Sequence, residues 1–185
     1  THSVYLSELQ KLGGVTEKSF SSIGPVIGSE LRRKAIWAIV LTLFAISFYI
    51  TWAFRKVSEP IKSWKYGVVT LVTLVHDVSI PTGLLAILGY LKGIEIDTNF
   101  IVALLVVMGF SVHDTIVVFD RIRENLMLNR GSKMPLANII NHSIKETLAR
   151  SINTSLTLIL VLLGLIIFGP SSLFYFVLTI LVGAI

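Results

Sequence analysis

The stretch SVHDTIVVFDRIREN, residues 111–125, is the most informative segment of the sequence. It begins inside an apolar run that is typical of a membrane-spanning helix, and it ends in a cluster of charges. Asp114 is the only formally charged residue between Thr98 and Asp120. A carboxylate at that depth in a bilayer costs about 3 kcal/mol or more. This cost indicates a function for Asp114, and the handling of protons or other ions is the first candidate.

The composition of the 185-residue chain places it in a membrane. Hydrophobic residues make up 54% of the chain and charged residues only 15%, and the mean hydropathy is +0.80. This composition excludes a soluble globular domain, which needs more surface charge. The chain has no cysteine, which excludes disulfides and thiolate metal sites. The net charge of +5 comes from basic residues beside apolar runs, which favours lipid headgroups over nucleic acid as the partner.

The apolar runs predict an all-α, polytopic membrane protein, with residues 35–185 forming a helical bundle of about five spans. The predicted spans are 35–54, 66–91, 99–120, 150–168 and 173–185. Residues 1–34 resemble soluble protein but are too few for a core of their own. We therefore expect residues 1–34 to be the end of a larger domain that precedes the bundle.

The segment 134–149 has the pattern of an amphipathic helix. Its apolar residues Leu136, Ile140, Ile144 and Leu148 recur at a spacing of four, with polar residues between them. This pattern predicts a helix that lies on the membrane surface.

The distribution of basic residues predicts the orientation of the bundle. The connections 55–65 and 121–149 carry four and five basic residues, whereas 92–98 is net acidic. The positive-inside rule therefore predicts that 55–65 and 121–149 are cytoplasmic and that 1–34 is extracytoplasmic. The basic run 32–34 conflicts with this orientation, but a cluster beside a folded domain carries less weight than two loops.

Asp114 has a candidate partner in Arg150. Asp114 lies roughly 10 Å inside the cytoplasmic end that Arg121 marks, and Arg150 lies roughly 5 Å inside the same end. An arginine side chain that extends along its helix could meet Asp114 and stabilise the ionised carboxylate. A fixed structural ion pair, and an Arg150 side chain that reaches only to the interface, are the alternatives.

The dipeptide His-Asp occurs on two consecutive predicted spans, as His76-Asp77 and as His113-Asp114. Histidine beside a carboxylate could relay protons near neutral pH. Alternatively, each histidine donates a hydrogen bond inside the bundle. The four side chains could also bind a metal ion, but neither the helical spacing nor an HExxH motif supports that reading.

A charge cluster follows Asp114 at the cytoplasmic end of its span. It consists of Asp120, Arg121, Arg123 and Glu124, whose spacing favours solvated pairs along one helix. Asp114 and Arg121 share a face seven residues apart, so a polar exit track towards the cytoplasm is the functional alternative.

Four stretches resemble the SecF family of bacterial protein-export subunits, which is related to the resistance-nodulation-division transporters. They are SSIGPVIGSELRRKA (21–35), VHDVSIPTGL (75–84), GFSVHDTIVVFDRIREN (109–125) and ETLARSINTSLT (146–157). The resemblance implies six spans with an extracytoplasmic α+β domain between the first two. The five spans predicted here would be the second to the sixth, and 1–34 would end that domain.

The resemblance also implies a function. Such a chain would be a multi-pass protein of the bacterial inner membrane, non-enzymatic and without a cofactor, that uses the proton- or sodium-motive force in late polypeptide translocation. Its partners would be a SecD-type subunit, a SecYEG-like channel, the translocating polypeptide and the lipid bilayer. The family's carboxylate falls on Asp114 and its arginine on Arg150, whereas His113 stands where the family commonly has Asn. A small-molecule or lipid exporter of the same superfamily, and an intramembrane metal-dependent enzyme, are the alternatives.

Overall fold

The computed structural model describes residues 25–55, 61–93, 98–131 and 134–185. Within these ranges the chain is helical and contains no strand. The helices are α1 (Pro25–Ala53), α2 (Ser63–Lys92), α3 (Thr98–Leu128), α4 (Leu136–Phe168) and α5 (Phe174–Gly183). A short 3₁₀ turn, Ser171–Leu173, precedes α5.

The predicted fold class is confirmed, since four helices are long and apolar enough to cross a membrane. They span Arg32–Ala53, Ser63–Lys92, Asn99–Leu128 and Leu136–Phe168. The fifth predicted span corresponds to the shorter apolar helix α5. Many large apolar side chains on the long helices are exposed, as expected for surfaces that face lipid.

Two helix boundaries differ from the sequence-based prediction. Helix α1 begins at Pro25, ten residues before the predicted span, because proline is well suited to the first turn of a helix. Residues 1–24, which carry most of the predicted domain remnant, lie outside the described residues. Helix α4 runs without a break from Leu136 to Phe168, so the predicted surface helix and the fourth span form one element.

Helix α3 is the centre of the bundle. It contributes to four apolar clusters, through Ala103, Leu104, Phe119 and Ile122 among others. Its neighbours include α2, α4 and α5. The quoted stretch 111–125 therefore lies in a helix that packs on several others.

Helices α1 and α2 pack closely at Gly67. The Ser47 hydroxyl on α1 donates a hydrogen bond of 2.8 Å to the Gly67 carbonyl on α2. A Cβ at Gly67 would overlap the Thr51 hydroxyl and lie 2.7 Å from the Ser47 carbonyl oxygen. Small residues commonly permit such close contact between membrane helices.

An aromatic cluster joins the end of α1 to the start of α2 and to α3. The rings of Phe54, Tyr66 and Phe119 lie 5.0–5.9 Å apart, centroid to centroid. The Arg123 guanidinium lies over the Phe54 ring at 5.6 Å. The end of α1, the start of α2 and the C-terminal part of α3 are therefore at the same end of the bundle.

Candidate functional site

A polar cleft of about 300 Å³ opens between α2, α3, α4 and α5. The side chains that give it a polar lining are Thr73, Asp77, Ser111, Asp114, Thr115 and Ser155. Two carboxylates and four hydroxyls thus share one cleft in helices that are otherwise apolar. The spacing explains the convergence, since residues three or four apart on one helix lie on the same face.

Asp77 is anchored at both carboxylate oxygens. Ser111 on α3 donates a hydrogen bond of 2.5 Å to Oδ2, and His76 Nδ1 lies 3.0 Å from Oδ1. The Asp77 side chain is 32% exposed. Position 77 also precedes Pro81 by four residues, so its backbone carbonyl lacks the usual helical donor. Helix α2 therefore presents at this level both a carboxylate and a carbonyl that lacks the N–H donor four residues later.

Asp114 is half-buried and lines the cleft one helical turn beyond Ser111. It has no hydrogen bond or ion pair with any residue in the described part of the chain. The two predicted carboxylates therefore come together in one cleft, but they differ in how they are held.

The two histidines do not line the cleft. His76 is 70% exposed and contacts Asp77, whereas His113 is exposed beside Asp114. The predicted relay through these rings stays a prediction. Among the described residues there is no group of three or more His, Asp or Glu side chains placed to hold a metal ion.

Arg150 is exposed on α4 and is not part of the cleft lining. Within the described ranges it forms no ion pair with Asp114, so that pairing stays a prediction. The α4 residue that lines the cleft is instead Ser155. Ser155 is not among the site residues predicted from the sequence.

The predicted charge cluster contains two different arrangements. Asp120 pairs with Arg123 along α3, as the spacing predicts. Arg121 contacts Glu124 at 2.5 Å, but it also crosses to α4 and binds both oxygens of Glu146, at 2.8 and 2.7 Å. Sequence reasoning missed this contact between helices.

Asn125 extends the contact between α3 and α4 into the protein interior. Its amide donates to Ser143 Oγ at 2.9 Å and to Glu146 Oε2 at 2.7 Å. Asn125 lies four residues after Arg121 on the same helical face, and that spacing is the signal that could have revealed it.

The fold and the site together define an α-helical, multi-pass membrane protein with carboxylates inside its bundle. Residues 4–185 match the family described as "Protein export membrane protein SecD/SecF, C-terminal". The chain is 47% identical to protein translocase subunit SecF of Thermobaculum terrenum over 95% of its length and 54% of that protein. It is 44% identical to the Anaerolinea thermophila subunit SecF, over 91% of this chain and 54% of that one.

A solved structure has the same fold. It is titled "Crystal structure of SecDF in Super-membrane-facing form", with a TM-score of 0.74 and 35% identity over 98% of this chain and 23% of that one. The chain spans about half the length of these two SecF proteins. It belongs to the SecD/SecF family of protein-export membrane proteins.

Proposed function

We propose that the chain is part of an auxiliary subunit that couples a proton- or sodium-motive force to late polypeptide translocation. It would act in the bacterial inner membrane with a SecD-type subunit, beside a SecYEG-like channel. A translocase subunit SecDF of Thermus thermophilus is 39% identical over 97% of this chain, and its name supports a SecD-type partner. The relatives named here are translocase subunits, which favours a polypeptide over a small molecule or lipid as the substrate.

The observation that carries this proposal is the cleft between Asp77 and Asp114. An ionisable group in an apolar span is costly, so it usually has a role in moving charge. Asp114 makes no hydrogen bond or ion pair among the described residues, which leaves its carboxylate available to a proton or cation entering the cleft. Asp77 and its Ser111 hydroxyl provide a second polar position on the neighbouring helix.

The coupling step is a change of charge at Asp114. Neutralising the carboxylate removes its attraction for Arg150 and lowers its cost inside the bundle. Either effect shifts the equilibrium between two arrangements of the helices. The extracytoplasmic domain, to which residues 1–34 would belong, would respond to that shift and act on the polypeptide.

The orientation follows from the basic residues. In the aromatic cluster, the end of α1 lies beside the C-terminal part of α3, so the connections 55–65 and 121–149 start from the same end of the bundle. Both connections are basic, so the positive-inside rule assigns that end to the cytoplasm. Residues 1–34 would then be extracytoplasmic.

Replacement of Asp114 by Asn tests the proposal in the full-length subunit, reconstituted with its SecD-type partner and the channel. We expect D114N to lose the stimulation of export by an ion gradient, because the amide cannot change charge. D114E, which keeps a titratable group, should retain part of that stimulation. The measurements are ion flux and polypeptide export in the same vesicles.

Thermal unfolding of the purified complex checks that D114N leaves the fold intact. If D114N matches the unmodified subunit in ion flux and in export, the proposal is wrong. Loss of export with normal ion flux would place Asp114 outside the ion path.

A further inference from the structure

A polar network joins α3 and α4 about two helical turns from Asp114. The Arg121 guanidinium binds both oxygens of Glu146 through Nε and Nη2, at 2.8 and 2.7 Å. Such a two-pronged contact fixes the angle as well as the distance between the two groups. Of these two residues, Arg121 belongs to the quoted stretch 111–125 and Glu146 precedes Arg150 by one turn.

Buried groups extend the network. Asn125 is 4% exposed and Ser143 is inaccessible to solvent. The Asn125 amide donates to Ser143 Oγ and to Glu146 Oε2, while the Ser143 hydroxyl donates to the Ile139 carbonyl at 2.8 Å. The network therefore connects one exposed ion pair to two buried polar side chains.

An isolated surface ion pair contributes little to stability, whereas this ion pair is hydrogen-bonded to buried groups and should contribute more. The surrounding apolar contacts of Ile122, Leu126 and Ile139 are non-directional and would tolerate small displacements. The hydrogen bonds would not, because a displaced helix would leave buried polar groups without partners. The network thus selects one axial position of α4 against α3.

That position determines where Arg150 lies relative to Asp114. Arg121 is seven residues beyond Asp114, or about 10.5 Å, and Glu146 is four residues before Arg150, or about 6 Å. The two distances start from the contact between Arg121 and Glu146, and they point the same way because α3 and α4 run in opposite directions. Their difference places Arg150 about 4.5 Å from the level of Asp114 along the bundle. If α4 moved along α3 by one helical turn, about 5.4 Å, the displacement would be larger than this offset between Arg150 and Asp114.

We propose that the Arg121–Glu146–Asn125 network is the positioning element that sets the height and rotation of Arg150 against Asp114. The inference rests on the proposed function, since it names the residues that adjust its coupling step. Arg121, Glu146 and Asn125 act through the placement of α4 and do not line the cleft.

A cysteine at Ser155 gives a structural readout that does not depend on export. The chain has no cysteine, so S155C in the full-length subunit, with any other cysteines of the complex replaced, reports access to the cleft. We expect E146Q to change the rate at which a water-soluble maleimide modifies S155C by at least about fivefold. K145Q, a charge-neutralising change at the adjacent residue, should leave that rate unchanged.

Two further variants separate placement from general damage. R121K keeps the charge but loses the two-pronged contact, so it should shift the rate in the same direction as E146Q. The exchange R121E with E146R restores the ion pair and should return the rate towards that of the parent S155C subunit. Equal rates in E146Q, R121K and K145Q would overturn the proposal, as would an exchange variant no closer to the parent than E146Q.

Export measurements distinguish this proposal from the proposed function. A positioning role predicts that E146Q shifts the ion gradient needed for half-maximal export, whereas structural damage lowers the maximum without that shift. If D114N is inert in export while E146Q still changes S155C modification, the network stands and the proposed function fails. If D114N abolishes coupling and E146Q changes neither readout, the proposed function stands and the network proposal fails.

Discussion

Helix α3 carries two polar regions that differ in how their charges are paired. In the network at its C-terminal part, Arg121 and Glu146 satisfy each other, and Asn125 binds both Ser143 and Glu146. In the cleft, a hydroxyl and a histidine contact the Asp77 carboxylate, whereas Asp114 makes no hydrogen bond or ion pair in the described ranges. The polar groups of the network join two helices, whereas the Asp114 carboxylate makes no hydrogen bond or ion pair among the described residues.

Paired and unpaired polar groups also differ in their effect on the free energy of folding. A satisfied polar network selects one arrangement, because any other leaves buried donors or acceptors unpaired. A carboxylate without a partner inside an apolar bundle is a net cost, and it persists where a change of its charge is useful. The same helix thus carries a paired polar contact and a carboxylate without a hydrogen bond or ion pair among the described residues, within about three turns.

We expect the strongest loss of export when Asp114 is given a cationic partner, as Glu146 has in Arg121. Ser155 lines the cleft with Asp114, so S155K places an ammonium group beside the carboxylate. We expect a fixed ion pair and the loss of gradient-stimulated export, because Asp114 then stays ionised. Export in reconstituted vesicles measures the loss, and thermal unfolding shows that the bundle remains folded.

S155M is the matched control, with a side chain of similar length and no charge. It should retain more gradient-stimulated export than S155K. Equal export in the two variants would show that side-chain size, and not pairing, blocks the cleft. Full export in S155K would contradict the view that Asp114 must change its charge.

Part of the cleft could be predicted from the sequence. Asp77 and Asp114 each lie in an apolar run, so both carboxylates are expected inside the bundle. Their position in one shared cleft depends on which helix faces meet, which the local pattern does not determine. The network could not be predicted, because it depends on the axial position of α4 against α3. That position comes from tertiary packing and not from the periodicity of either helix.

The segment 134–149 illustrates this dependence. The spacing of its apolar residues predicts that Ile144 and Leu148 face the membrane, and both side chains are exposed, at 42% and 52%. The buried face contains Ser143 and Thr147, which are small enough to let α3 approach closely and donate to backbone carbonyls. Periodicity found an amphipathic helix, but it did not identify which face packs on α3.

Gly67 offers a test of packing away from both polar regions. G67A forces a methyl group into the Ser47 and Thr51 side of α1, so α1 and α2 must separate. We expect a loss of about 2 to 3 kcal/mol in the free energy of unfolding, measured by denaturation in detergent. The cleft and the Arg121–Glu146–Asn125 network should be unaffected by G67A, because Gly67 belongs to neither.

G83A is the matched control on the same helix, because a Cβ at Gly83 meets nothing within 4 Å. Alanine has the higher helix propensity, so G83A should leave stability unchanged or raise it by up to about 1 kcal/mol. If G67A were no less stable than G83A, the close α1–α2 contact would be disproved.

The smallest expected effect is a difference in stability between the two polar regions. N125A removes a buried amide and leaves the Ser143 and Glu146 oxygens without that donor, at a cost of about 2 kcal/mol. S111A removes one hydroxyl from the half-buried Asp77, which water in the cleft can replace, at a cost of about 1 kcal/mol. When both variants are denatured in the same detergent, the free energy of unfolding of N125A should therefore be about 1 kcal/mol lower than that of S111A. The opposite order would mean that the cleft, and not the network, joins the helices, and would remove the physical basis for treating Asp114 as the exchangeable group.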